Sequence, residues 1–318
     1  MSEGGRAGED SVWRAAISNL MPYVDRYITP RPGRVKLAQL TKARVMAFRD
    51  DLVDTLPSRS LAKKVLGSLK GILSEARDRG RVAINAASGV KVGNGSRGRE
   101  EVIIPEIVDI RAILAKADEL AGKSNAWQRW RVLIATAVHT GLRASELRGL
   151  PWDEVDLKAG KINVVQKADE NGAIGKPKSK SGYRTINIPA TLKGILLEWK
   201  LKTGGQGLVF GNGAGNPESL ANIFNRAWKP VQIAAGVANR RNKGGKPILD
   251  PRYNFHTLRH FHASMLIADG ANPKDIQVEM GHASIQITFD LYGHKFKDEA
   301  ADQRSRERAE RVAQNLYD

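Results

Sequence analysis

Between His256 and His294 the chain reads HTLRHFHASMLIADGANPKDIQVEMGHASIQITFDLYGH. His256 and Arg259 stand three apart in a helical pattern, so their side chains leave one face a turn apart. His282 follows Gly281 directly, and Tyr292 comes ten residues later. An arginine grips phosphate oxygens with a planar fork, imidazoles exchange protons near neutrality, and a phenol can attack phosphorus. Such a set suits cleavage of a phosphodiester without a metal. Zinc is the competing reading for His256, His260 and His262, since the first two stand at i, i+4. The chain has no cysteine, and no acidic partner sits at ligand spacing, which disfavours zinc. Three short helices must carry the set. Gly270 stops the first, Asn272 and Pro273 open the second in N-cap and N1 order, Gly281 ends it, and Ser284 can cap the third.

A second block lies upstream, TGLRASEL from Thr140 to Leu147. A helix over 127–140 ends at Gly141, and Arg143 starts the next, with Glu146 one turn on to orient it. With both blocks in hand, the chain resembles the tyrosine recombinase (phage integrase) family. That family's pattern is Arg in T-G-L-R-x-S-E-L, then His-x-x-Arg, then Gly-His, then Tyr before Gly-His. Here these are Arg143, His256 with Arg259, His282, and Tyr292 ahead of Gly293 and His294. The resemblance runs from about residue 11 to the C-terminus.

The resemblance implies that Tyr292 attacks a DNA phosphate, forming a 3′-phosphotyrosine and freeing a 5′-hydroxyl. Arg143 and Arg259 would stabilise the added negative charge, His282 would give a further hydrogen bond, and His256 would assist proton movement at the tyrosine. The family's general acid is a β-hairpin lysine in P-K-T-K-S. Pro177-Lys178-Ser179-Lys180-Ser181 matches it and favours Lys178, with Lys180 the alternative acid or a phosphate or base-edge contact. No cofactor and no metal are implied. The implied partners are double-stranded DNA attachment sites, two of them held by a homotetramer, with accessory DNA-bending factors. The implied role is integration or excision of a mobile element or phage, in the cytoplasm of a prokaryotic or phage-infected cell. Two rival readings share some features: a type IB topoisomerase has the same nucleophile chemistry, and a non-catalytic DNA-binding protein has the same charge.

Composition bounds these readings. Of 318 residues, 51 are Lys or Arg and 34 Asp or Glu, for a net charge of +17. A chain this basic meets a polyanion by default, and its length allows two domains with proper cores. The absence of cysteine excludes disulfides and thiol catalysis and fits a reducing compartment. No apolar run reaches ~18 residues, so no membrane span is expected. The opening MSEGGRAGED lacks a signal-peptide core and reads as a flexible tail over 1–10. About ten residues ahead of Ser11 leave no room for the arm-site-binding domain that many integrases carry.

The pattern predicts a mostly α fold in two domains, the second with a small antiparallel sheet. Residues 11–92 read as a helical domain, which the resemblance implies is the core-DNA-binding domain. Its first helix is capped by Asp10 or Ser11 and stops near Pro30; Thr41 caps the second, and Ser58 the third, which runs to Gly80. In the third, Leu61, Val65, Leu69, Ile72, Leu73 and Ala76 make an apolar stripe. Lys63, Gly67, Lys70, Ser74 and Arg77 make a basic, small-residue face suited to a phosphate backbone, with Lys63, Lys70 and Arg77 as DNA contacts. Residues 93–104 read as a linker, 105–294 as the catalytic domain. Strands are expected over 161–167 and 183–188, helices over 190–203 and 219–235, and a basic loop over 236–252. Residues 295–318 read as a charged helix with a thin stripe, Ala309, Val312, Ala313 and Leu316, exchanged between subunits.

Overall fold

The computed structural model describes residues 21–93, 102–292, 310–311 and 313–314. The chain divides into two compact units, Met1–Glu100 and Glu101–Asp318.

In the first unit a π-helical turn at Val24–Ile28 precedes α1 (Lys42–Thr55) and α2 (Arg59–Asp78). Both helices begin on a side-chain cap. The Thr41 hydroxyl accepts from the Arg44 amide and the Ser58 hydroxyl from that of Leu61, satisfying amides that have no partner within the helix. Val45, Phe48 and Leu52 of α1 share a core with Ala62, Val65, Leu66, Leu69 and Leu73 of α2. The buried arc of α2 is centred on Ala62, Leu66 and Leu73. Ile72, expected in the stripe, therefore falls at its rim and is 39% exposed. Lys63, Gly67 and Lys70 are exposed and line one depression with Lys91. Ser74, expected on that face, is covered by Asn85, whose amide donates to its hydroxyl at 2.8 Å. Arg77 is exposed and pairs with Asp78 at 2.7 Å.

The second unit is built around α4 (Asn125–Thr140), which follows α3 (Ile107–Lys123) and buries residues on every side, among them Trp130, Leu133, Ile134 and Ala137. A helix apolar all round is a core helix. Gly141 ends it at φ +58°, and the short α5 (Ala144–Arg148) follows. The sheet is antiparallel, ordered β1 (Val155–Asp156), β2 (Lys161–Val164), β5 (Arg184–Asn187), with Ile162 opposite Ile186 and Val164 opposite Arg184. β3 (Lys167–Ala168) and β4 (Ile174–Gly175) form a separate ribbon. Lys178 and Lys180 are thus not on an extended strand. Lys178 lies on a bend, and Lys180 opens a 3₁₀ turn, Lys180–Gly182. Gly182 is pressed on Pro177 there, so closely that an added Cβ would collide with the proline Cβ.

After α6 (Ala190–Thr203), a helical segment runs through α7 (Leu220–Asn222), a π-helical stretch Ile223–Trp228 and α8 (Lys229–Ala234). Residues 236–252, expected as a loop, instead contain a ribbon of β6 (Ala238–Lys243) and β7 (Lys246–Pro251). It turns at Gly244 and Gly245, φ +59° and +79°, the positive pair that a tight two-residue hairpin turn requires. Three short helices close the described part: α9 (Thr257–Ala268), α10 (Pro273–Met280) and α11 (Ile285–Tyr292). Ala263, Ile276, Met280 and Tyr292 form a small core of their own, against which Ile104 packs. Ile104 therefore belongs to this unit and not to a linker ending at residue 104. The expected tail over 1–10, most of the linker, and the C-terminal helix apart from Glu310, Arg311, Ala313 and Gln314 lie outside the described residues. No described helix is long and apolar enough to cross a membrane.

Candidate active site

The site is organised by the C-terminal end of α10. Asn272 caps the other end, its side chain accepting from the amides of Lys274 and Asp275. At the C-terminus Gly281 takes φ +62°. The His282 amide donates to the Gln277 carbonyl and the Gly281 amide to that of Val278, both at 3.0 Å. This is a Schellman closure, and it leaves the last carbonyls of the helix in need of donors. Three arginines supply them in succession. Arg184 Nε donates to the Glu279 carbonyl at 2.7 Å, Arg259 Nη2 to that of Met280, and Arg143 Nη2 to that of Gly281 at 2.9 Å. A helix C-terminus attracts cations through its dipole as well as through its free oxygens. Gly281 is required on two counts. Its φ is left-handed, and a Cβ would stand 2.9 Å from both Arg184 Nη1 and the Ser181 carbonyl oxygen.

Two of these guanidiniums share one carboxylate. Glu146, 6% exposed, accepts from the Arg143 amide at 2.9 Å and from Arg143 Nη1 at 2.7 Å. It also takes Arg184 Nη1 at 3.1 Å and Nη2 at 2.9 Å. Burial opposes its ionisation, but the hydrogen bonds and charge of Arg184, with Arg143, outweigh that and hold the carboxyl at about 2. Arg259 has no carboxylate. It is 4% exposed and spans the carbonyls of Gly141, at 2.7 Å, and Met280. Burial first, then the neighbouring charge of Arg143, pulls its pKa down to about 9. A buried cation without a counter-ion is costly, and an arriving anion relieves that cost.

His282 is buried, and its Nδ1 lies 2.9 Å from the Thr288 hydroxyl. Burial and the three arginines bring its pKa to about 3, so it is neutral at physiological pH. Tyr292 is fully buried, and its hydroxyl lies 2.7 Å from Nδ1 of His260. Burial raises the phenol to about 12, against the pull of Arg259. His256 occupies the N-cap of α9, is exposed, and meets the His260 ring edge-on at 4.9 Å between centroids. His262 pairs with Glu279 at 2.9 Å and packs under Gly141, where a Cβ would meet its ring at 2.7 Å. Of the three histidines considered as zinc ligands, His256 and His260 face each other, and His262 is turned to Glu279.

The structure therefore brings Arg143, Glu146, His256, Arg259, His282 and Tyr292 into one cluster. Lys178 and Lys180 are exposed, and among the described residues no side-chain hydrogen bond or ion pair holds either ammonium group. Their loop nevertheless ends at the cluster, through the approach of Ser181 to Gly281 and the bond from Arg184 Nη1 to the Gly182 carbonyl. Lys63, Lys70 and Arg77 lie on the other unit. Two residues of the cluster were given no part in it by sequence reasoning, His260 having been weighed only as a zinc ligand. Arg184 had one signal, a charge at an inward position of an alternating strand. His260 had another, its place one turn after His256 on the same face.

An α-rich unit with a small antiparallel sheet and these side chains at one helix end is the catalytic unit of a tyrosine recombinase. The phage integrase family model matches residues 108–299, and the chain belongs to that family. It is 28% identical over 286 residues to a "Tyrosine recombinase XerC-like" protein of Caldanaerobacter subterraneus subsp. tengcongensis, covering 82% of this chain and 68% of the relative. With the "Prophage integrase IntR" of Escherichia coli (strain K12) it shares 31% over 170 residues, 49% of this chain and 41% of the relative. The fold is similar to the Tn1549 transposon integrase in complex with transposon right end DNA. That match has a TM-score of 0.66 and 19% identity and covers 98% and 95% of the two chains. It is similar also to a lambda integrase dimer bound to a core site, with a TM-score of 0.61, 18% identity and 90% of each chain covered.

Proposed function

We propose that this recombinase cleaves and rejoins DNA strands at specific sites through a 3′-phosphotyrosine on Tyr292, and so integrates or excises a mobile element or phage. The observation that carries this is the convergence of Arg143, Arg259 and His282 on the end of α10, with the Tyr292 phenol within reach of the Arg259 charge. A scissile phosphate seated there has its non-bridging oxygens neutralised by two preorganised forks. Arg259 exchanges its buried isolation for a counter-charge. The Tyr292 oxygen forms the bond to phosphorus while the bond to the 5′-oxygen breaks. Lys178 protonates that oxygen, with Lys180 as the alternative, and the mobile stem of a lysine suits the task. His256 assists movement of the tyrosine proton. The net charge of +17 supports DNA as the partner, with Lys63, Lys70 and Arg77 contacting phosphates. DNA-bound forms among proteins of this fold point the same way. Strand exchange requires four copies on two sites, and accessory factors can bend the DNA between them.

The test uses a nicked duplex chosen from a random-sequence pool by its binding to the chain. Cleavage beside the nick releases a short oligonucleotide, so the adduct cannot religate. In excess EDTA the wild-type chain accumulates a covalent protein–DNA complex. Tyr292→Phe, which keeps the ring, binds equally and forms none. No adduct in the wild type, or dependence on a divalent ion, overturns the reading.

A further inference from the structure

We infer that His260, beyond the residues assigned above, is a catalytic residue: the general base that takes the Tyr292 proton during cleavage and returns it during rejoining. The inference rests on the proposed phosphotyrosine chemistry and names the acceptor within it. The Tyr292 side chain has no exposed surface, so water does not collect its proton directly. Among the described residues the one hydrogen-bond partner of the hydroxyl is His260 Nδ1, at 2.7 Å, a distance over which a proton passes. Nδ1 can accept only if the ring proton sits on Nε2, and the ring must be neutral beforehand. The groups facing His260 secure neutrality. They are His256 and Arg259 from its own helix, Tyr292 from α11 and His282 from the turn after α10. Burial, then the charges of His256 and Arg259, brings the His260 pKa to about 4.

A base that weak does not ionise the phenol at rest. The balance changes when a phosphate arrives. The phosphate neutralises Arg259, one of the causes of the depression, and makes the imidazolium easier to form. As the tyrosine oxygen bonds to phosphorus its affinity for the proton falls. The O–H bond then breaks toward Nδ1, the oxygen electron pair completes the bond to phosphorus, and the bond to the 5′-oxygen breaks. His256 lies edge-on at 4.9 Å and is itself exposed, so it gives the imidazolium a neighbour open to water.

Single-turnover adduct formation on the selected nicked duplex, measured from pH 6 to 9, separates the possibilities. With His260 as base the wild-type rate is flat from pH 7 to 9. His260→Ala lowers it about 100-fold or more at pH 7. The residual rate then climbs about tenfold per pH unit, because it follows the phenolate fraction. DNA affinity stays within about twofold, since the variant leaves both arginines in place. His260→Asn is the second variant and guards against collapse of the site. Its amide oxygen stands where Nδ1 stood and can accept the hydrogen bond but not the proton, so it is expected to be slow with the same steep pH profile. A rate restored by Asn with a flat profile makes His260 a positioning residue only, and overturns the inference. So does a His260→Ala rate equal to or faster than wild type. In both cases the wild-type adduct persists and the phosphotyrosine reading stands. Absence of the wild-type adduct removes that reading and this inference together.

Discussion

Arg143 and Arg259 donate to neighbouring carbonyls at the end of one helix, yet they are held in opposite ways. Arg143 is partly open, its side chain 34% exposed, and is paired with Glu146. Arg259 is buried and, among the described residues, its guanidinium donates only to the backbone oxygens of Gly141 and Met280. The first is aimed by a side chain that also binds Arg184, and so depends on a charge network. The second is aimed by two chain turns, Gly141 and Gly281, and depends on backbone shape. One helix end thus presents a cation already compensated and a cation still waiting for an anion. The difference suggests that Arg259 senses the charge of the phosphate more strongly, while Arg143 fixes its direction.

The largest expected effect is on the compensated side. Glu146→Gln leaves Arg184, whose side chain is 2% exposed, buried without its counter-ion. Breaking such a pair costs about 3–5 kcal/mol, read as a lower midpoint in denaturant; a change under about 1 kcal/mol would mean that the carbonyls alone hold both arginines. Next come the lysine substitutions. Arg259→Lys cannot span two carbonyls and is expected to lose about 10²–10³ in the rate of adduct formation. Arg143→Lys retains a charge that Glu146 can pair and loses less, so equal losses would erase the contrast. Gly281→Ala attacks the shared anchor. Its φ of +62° and the 2.9 Å approach of Arg184 put the cost at about 1–3 kcal/mol, read as a lower unfolding midpoint.

A further effect is a pH dependence. The folded chain holds His260 and His282 at about 4 and about 3, below their ordinary 6.5. The unfolded chain therefore binds more protons between those values and 6.5, and stability falls as pH drops from about 6.5 toward 4. Glu146, held at about 2 instead of 4.5, stabilises the fold above 4.5, and that contribution is lost as pH falls toward 2. His282→Gln removes one titrating group, and its unfolding midpoint should fall less steeply between pH 6.5 and 4.

The sequence displayed the parts of this site that are local. Thr41, Ser58 and Asn272 cap the helices they were expected to cap, because a cap needs only the next three residues. Gly141 and Gly281 likewise mark helix ends. The family pattern made Arg143, His256, Arg259, His282 and Tyr292 legible by order and context. What stayed hidden depends on packing across distance. Arg184 becomes part of the cluster only because Glu146, 38 residues earlier, and the end of α10 meet it. His260 faces Tyr292 only once α9 lies against α11, 32 residues on. The ribbon over 238–251 was read as a loop because its strands are basic and largely solvent-facing, without the alternation that burial imposes. Its Gly244-Gly245 turn between equal arms was the signal available.

If Arg259 is reserved for the charge of the scissile phosphate, removing that charge from the DNA removes the need for it. The selected nicked duplex is made with a methylphosphonate at the cleavage position, which replaces one charged oxygen by a methyl group, and adduct formation is timed for wild type and Arg259→Ala. A loss of about 10²–10³ is expected for the variant on the ordinary phosphate, and a loss at least tenfold smaller on the neutral linkage. An equal loss on both duplexes would contradict it, placing Arg259 in the architecture of the site and not in its chemistry.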